Sequence, residues 1–247
     1  MKKLLVFLFI VLFLAILSIY WPVIKSNVSG NTIGSSIYEK EEVFIERVVD
    51  GDTIQTNIGN IRLLGINTPE KNNYYYQEAK DYLRKEVENK SILVLRDKED
   101  VDKYKRKLRY LFYGNRIINV EILENGLATS FLTEDLIYKD KLKAAEEFAK
   151  KNERGLWERS KDICSSCIEL SELNYKNEFF IIKNNCQIKC DLSGWTVKDD
   201  ANHFFKLQSL NALESKKYDS EEKVWNDDGD RFFMRDKQGK LVVYYSY

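Results

Sequence analysis

The stretch Val48-Val49-Asp50-Gly51-Asp52-Thr53-Ile54, followed by Ile61-Arg62-Leu63-Leu64-Gly65-Ile66-Asn67-Thr68-Pro69-Glu70, governs the reading of the chain. Short β-branched runs stop at Asp-Gly and Gly-Asn turn signals, the pattern of strands joined by tight turns. At the ends of those runs stand carboxylates, an arginine and an amide oxygen. That is the inventory needed to hold a hard cation beside a phosphodiester. Further along comes Asp102-Lys103-Tyr104-Lys105-Arg106-Lys107-Leu108-Arg109-Tyr110. From Asp102 to Arg109 it carries five positive side chains against one negative.

Working outward, Val43-Phe44-Ile45 adds a strand before the first turn. Residues 77–88 have helical spacing, with Ala79, Leu83 and Val87 on one face. Ser91-Ile92-Leu93-Val94-Leu95 reads as a buried strand, and residues 108–113 as another, closed by Gly114-Asn115. Residues 118–124 predict a short helix ended by Asn125-Gly126. A longer helix is expected over 138–152, with Gly155 as its stop and Trp157 returning to the core. Strands first and helices after them suggest a small barrel with helices packed on one side. After residue 160 the composition changes. From Ile168 to the end, apolar strands alternate with turn residues and no helix is evident, which reads as a separate all-β domain of sandwich size.

The 39 basic and 39 acidic residues balance, which argues against a nucleic-acid coat protein but not against a focal basic site. The N-terminus reads Met1-Lys2-Lys3 and then an apolar run over residues 4–24, interrupted only by Ser18 and Pro22. About twenty apolar residues match the thickness of a bilayer, and the bulky run lacks a small-x-small cleavage pattern. Residues 1–24 are therefore expected to be a transmembrane signal anchor, the alternative being a cleaved signal and a secreted product. Lys2 and Lys3 place the remainder outside the cytoplasm. Residues 25–41 read as a flexible linker, residues 42–160 as the barrel domain and residues 161–247 as the β-sandwich domain.

A phosphodiester resists hydrolysis because an anionic centre must accept a nucleophile and gain charge. The remedies are a divalent cation, guanidinium groups on the equatorial oxygens and a carboxylate to activate water. Asp52 and the Asn67 side-chain oxygen, with a backbone carbonyl near Thr68, suit Ca²⁺. Arg62 and Arg106 offer planar forks matched to phosphate, and Pro69 fixes the backbone before Glu70. Each segment alone has a structural reading, as a turn, a helix start or a solvated basic face.

Their conjunction resembles the signature segments of the thermonuclease (micrococcal-nuclease-like) family. The likeness covers residues 42–159 and includes Glu124-Asn125-Gly126-Leu127-Ala128 and Gly155-Leu156-Trp157. It implies an OB-fold barrel with three helices and Ca²⁺-dependent endonuclease action on DNA and RNA. By the resemblance Asp52 ligates Ca²⁺, Thr68 contributes its carbonyl, and Arg62 and Arg106 bind and stabilise the phosphoryl group. Glu70 acts as or positions the general base, and Lys103 and Tyr104 contact a neighbouring nucleotide. Two departures stand out. Asn67 replaces a second Ca²⁺-ligating aspartate, which predicts weaker metal affinity. Lys105 and Lys107 replace glycines beside the second arginine, which raises local charge for nucleic-acid binding.

Four cysteines, Cys164-x-x-Cys167 and Cys186-x-x-x-Cys190, suit two disulfides or one tetrahedral Zn²⁺. His203, the only histidine, reads as a surface or turn residue. The segments Ile168-Glu169-Leu170-Ser171-Glu172-Leu173-Asn174, Asn177 to Asn184, Asp191-Leu192-Ser193-Gly194-Trp195 and Val224-Trp225-Asn226-Asp227-Asp228-Gly229-Asp230 resemble a lamin-tail domain. That likeness implies an immunoglobulin-like sandwich with Trp195 in its core, serving binding or targeting toward a ligand that the sequence does not identify. The leading expectation is a hydrolase of external DNA and RNA. The rivals are a catalytically inactive nucleic-acid-binding module and a surface adhesion module.

Overall fold

The computed structural model describes residues 39–133, 135–201 and 203–247. The expected anchor over residues 1–24 lies outside them, as does most of the linker. Among the described residues no helix is long and apolar enough to cross a membrane.

Strands β1 (Glu41–Val48), β2 (Thr53–Thr56) and β3 (Gly59–Leu63) form an antiparallel meander. A register shift between Ile45 and Arg47 marks a bulge in β1, which lets that strand bend. β4 (Ile66–Asn67) leaves the sheet, while β5 (Ser91–Val101) and β6 (Lys107–Tyr113) return on the far side of β1. Parallel pairing of β3 with β6 then closes five strands into an OB-fold-like barrel. The short β7 (Arg116–Ile117) extends β6. Ile45, Ile54, Ile61, Val94 and Leu111 fill the interior.

Three helices accompany the barrel: α1 (Tyr76–Val87), α2 (Ile118–Glu124) and α3 (Lys139–Lys151). Ala79, Leu83 and Val87 of α1 are buried, the face that their spacing predicts. β8 (Thr129–Ser130) pairs with β4, setting Asn67 opposite Thr129 and Ile66 opposite Ser130.

Seven further strands make two sheets. One holds β9 (Ile168–Asn174), β10 (Phe179–Asn184) and β13 (Ser215–Asp219). The other holds β11 (Thr196–Lys198), β12 (Phe204–Lys206), β14 (Arg231–Arg235) and β15 (Leu241–Ser246). They face each other across a core of Phe180, Trp195, Trp225 and Phe232, and Trp195 is buried there as expected. Asn226 to Asp230 form a tight loop in which the Asp230 carboxylate accepts from the Asn226 and Arg231 N–H groups. His203 is a capped surface residue, its Nδ1 2.6 Å from the buried Asp199 carboxylate.

β14 is buried on both faces, where a solvated sheet would alternate. Phe232 and Met234 point into the sandwich, and Phe233 packs with Ala149, Trp157, Leu241 and Tyr244. Trp157 is buried as expected, in a cluster of its own between barrel and sandwich where Phe233 offers the apolar surface. Arg231 ties the same seam. Its guanidinium meets Glu146 at 2.9 Å and Asp200 at 2.7 Å, and donates to the Ser130 carbonyl at 2.8 Å.

The cysteines are joined as Cys164–Cys190 and Cys167–Cys186, with Cα separations of 5.8 and 5.4 Å. Of the two arrangements that the spacing allows, this is the disulfide one, and a sulfur in a disulfide has no thiolate to give Zn²⁺. The bridges tie the segment entering the sandwich to the connection after β10. Reducing them is expected to cost about 3 kcal/mol for the larger loop, and less than twice that for both because one loop nests in the other. Urea unfolding with and without reductant measures it; coincident midpoints would show that the bridges carry no stability.

Candidate active site

Four segments converge at one end of the barrel: the β1–β2 turn, the end of β3, β4, and the loop between β5 and β6. Their approach is steric first. A Cβ on Gly51 would lie 2.8 Å from both the Ala79 Cβ and the Thr68 Oγ1, so only glycine lets the turn close onto α1 and Thr68. Thr53 pairs with Arg62 across β2 and β3, and the Leu63 N–H donates to the Asp52 carbonyl at 2.8 Å.

Asp52 is the buried centre. Its Oδ2 accepts from the Thr68 N–H and hydroxyl, each at 2.9 Å, and faces the Arg62 Nη1 at 2.8 Å. Burial dominates its titration and pushes the carboxyl up to about 6, against the opposing pull of Arg62 and Thr68 and with a further push from Asp50. Arg62 Nη2 donates to the Asn67 Oδ1 at 3.2 Å. One guanidinium therefore spans the two side-chain oxygens expected to ligate a cation.

Arg106 reaches the same cluster through Thr53, whose hydroxyl accepts from Arg106 Nη1 at 3.3 Å and donates to Asp52 Oδ1 at 3.1 Å. Arg106 Nε pairs with Asp102 at 2.7 Å. Partial burial pulls the Asp102 carboxyl upward, but hydrogen bonds from the Arg106 N–H and guanidinium, and from the Tyr104 N–H, hold it below its ordinary value. Thr53 and Asp102 stand in the segments quoted from the sequence but are given no role in the site there. The Asp102-x-x-x-Arg106 spacing was the available signal for the second.

Arg62, Lys103, Tyr104 and Arg106 line an open groove of about 870 Å³, with Phe131 on another side. Lys105 and Lys107 are not among its lining residues. Lys105 instead occupies a left-handed turn at φ 64°, where its N–H donates to the Asp102 carbonyl. A side chain in that conformation costs about 1 kcal/mol. Lys105→Gly is thus expected to raise stability by up to about 1 kcal/mol, less what glycine adds to the entropy of the unfolded chain. Urea denaturation checks it, and a destabilised variant would contradict the account. Glu70 is exposed and makes no side-chain hydrogen bond or ion pair with the described residues. The structure does not bring its carboxylate onto the Asp52 cluster.

Known proteins match this part of the chain. Residues 60–159 match the family model of staphylococcal nuclease homologues. The thermonuclease of Staphylococcus hyicus is 30% identical over 135 residues, which cover 50% of this chain and 80% of that protein. The chain belongs to the staphylococcal nuclease family. The thermonuclease of Staphylococcus intermedius is 32% identical over 130 residues, 48% of this chain and 77% of its own length. An SPbeta prophage-derived endonuclease of Bacillus subtilis is 33% identical over 135 residues, covering 49% and 46%. The protein is a nuclease, a hydrolase of phosphodiester bonds; Arg62, Asn67, Thr68 and Arg106 lie within the residues that match the family model, and Asp52 lies eight positions before them.

Proposed function

We propose that the nuclease is a Ca²⁺-dependent endonuclease acting on DNA and RNA outside the cytoplasm. The observation that carries this reading is the Arg62 guanidinium spanning Asp52 and Asn67, with Arg106 held beside it through Thr53. The donor set fits a hard divalent cation. Asp52 is a buried carboxyl that needs compensating positive charge, and Asn67 adds an amide oxygen beside it. Asp52, Asn67 and the Thr68 carbonyl would hold the ion. When bound, it neutralises charge that develops on the phosphoryl oxygens.

The chain's own groups do the rest. Arg62 exchanges its contacts with Asp52 and Asn67 for one non-bridging phosphate oxygen, and Arg106 takes another. Glu70, without a side-chain partner among the described residues, accepts the proton of the attacking water as the general base once substrate is seated. Lys103 and Tyr104, on the wall of the larger groove, receive the neighbouring nucleotide. Two disulfides favour an oxidising compartment, and the Lys2-Lys3 and apolar start of the chain favours attachment to a membrane. The sandwich resembles a lamin-tail domain, and its role in this reading is attachment or targeting.

The test is cleavage of plasmid DNA and single-stranded RNA by the full chain in detergent, with Ca²⁺ and with excess chelator. Cutting that persists in chelator, or never appears with Ca²⁺, overturns the cation's role. Asn67→Asp restores a ligand charge and is expected to tighten Ca²⁺ binding about tenfold, since affinity follows ligand charge. A calcium titration of the cleavage rate reads it, and an unchanged midpoint removes Asn67 from the ligand set.

A further inference from the structure

A second cavity, of about 340 Å³, is lined by Asn67, whose side-chain oxygen accepts from Arg62 on the wall of the larger groove. That is within the range of small-ligand sites, about 300–1,000 Å³. Asn67 and Thr68 form part of one wall, and Thr196, Lys198, Phe204 and Arg235 of the sandwich form part of the other. Its lining holds two cations and no carboxylate.

Arg235 is the anomaly that gives the cavity a chemistry. It is only 6% exposed, and its Nη1 donates to the carbonyls of Leu156 at 2.6 Å and Gly239 at 3.1 Å. Among the described residues no carboxylate pairs with it. Burial pulls its guanidinium down to about 10, and Tyr75 and Asp236 offset only part of that. Buried cations are ordinarily compensated, so this one, beside a cavity, is prepared for an anion. Burial also pulls the Lys198 ammonium down to about 8, a second cation that an incoming anion favours. Phe204 supplies a different feature. Its neighbour Phe205 packs edge-on against Phe180 inside the sandwich, so Phe204 points the other way and is 46% exposed.

We infer that this cavity is a second nucleotide subsite, in which Arg235 and Lys198 take a backbone phosphate and Phe204 stacks a base of the strand being cut. The inference rests on the nuclease reading and extends it. A strand whose scissile phosphate sits at Arg62 has one neighbouring nucleotide beside Tyr104 and the next one here. The sandwich is then part of the substrate-binding surface as well as an appendage.

The experiment measures binding rather than cutting. A fluorescent single-stranded DNA hexamer is titrated with the full chain in excess chelator, and the titration is repeated with an abasic site at each position in turn. Removing the stacked base is expected to weaken binding about tenfold at one position, within the range of base–aromatic stacking. In Phe204→Ala that penalty disappears, while any penalty from stacking on Tyr104 remains. Phe204 is exposed, so the variant folds, whereas a change at Arg235 risks the seam. Lys198→Gln is expected to lower the slope of log affinity against log salt by about 0.7, the loss of one phosphate contact. An abasic profile identical in wild type and Phe204→Ala overturns the subsite, as does the absence of any penalty. A free nucleoside monophosphate that competes as well as the hexamer overturns its assignment to the strand. Adding Ca²⁺ to the same mixtures separates the two readings: binding with this profile but no cleavage sinks the hydrolytic mechanism and leaves the subsite standing.

Discussion

Arg106→Ala is expected to lower kcat about a thousandfold while leaving the protein folded. The size follows from removing a fixed donor aimed at charge that grows in the transition state, which costs about 10²–10³ and more where the donor is a full cation. The clean readout follows from Asp102. That carboxylate accepts from the Tyr104 and Arg106 N–H groups at 2.9 Å as well as from the guanidinium, so the loop keeps its cap when the side chain is lost. Arg106→Lys should recover little, because an ammonium cannot reproduce the planar fork. Glu70→Gln is expected to lower kcat by about 10²–10⁴. Its stability cost should be negligible, since the exposed carboxylate has no partner to lose among the described residues. Single-turnover cleavage under saturating Ca²⁺ reads the chemical step. Full activity in either variant removes that residue from the reaction.

What the sequence revealed and what it hid divide along physical lines. The barrel helices were legible because Ala79, Leu83 and Val87 must share a face to be buried, and residues 118–124 end at a glycine that adopts φ 66°. The cluster was legible because Asp52, Arg62, Asn67 and Thr68 lie within seventeen consecutive residues. Pairing Thr53 with Arg62 brings Asp52 and Arg62 together, and the pairing of β4 with β8 sets Asn67. Arg106 was legible only through its charged neighbourhood, because the parallel pairing of β3 with β6 that delivers it leaves no local signal. Lys105 was expected to add charge to the nucleic-acid surface; its backbone also takes a glycine's conformation in the turn, which no local signal announced.

The seam was hidden altogether. Neither Arg235 nor Phe204 stands out in the sequence, and only the burial of β14 on both faces brings Arg235 to the seam. Asn67 and Thr68 across the cavity lie more than a hundred positions earlier in the chain. The same holds for Tyr74, whose hydroxyl donates to the Lys237 carbonyl at 2.8 Å. Gly239 has φ 79°, and a Cβ there would stand 2.2 Å from the Tyr74 ring. The loop that follows Glu70 is thus held by the sandwich, a coupling between domains that neither domain's own periodicity encodes.

That coupling has its largest energetic expression at Arg231. Arg231→Met is expected to destabilise the protein by about 3 kcal/mol, the lower end for breaking a buried ion pair. The side chain is largely but not fully buried, and its removal leaves Glu146, 4% exposed, without its 2.9 Å partner. Lys150 at 3.3 Å and the Ser130 N–H and hydroxyl still compensate that carboxylate in part, which keeps the cost from the upper end. Because Ser130 pairs with Ile66, one residue before Asn67, loosening the seam should also weaken Ca²⁺ binding and strand binding together. A double-mutant cycle separates this from a general packing loss. Glu146→Gln removes the charge that Arg231 compensates, so the pair of changes should cost clearly less than the sum of the two single ones. Additive costs, or an Arg231→Met variant within about 0.5 kcal/mol of wild type by urea denaturation, would show that the seam is held by the Trp157–Phe233 cluster and not by its ion network.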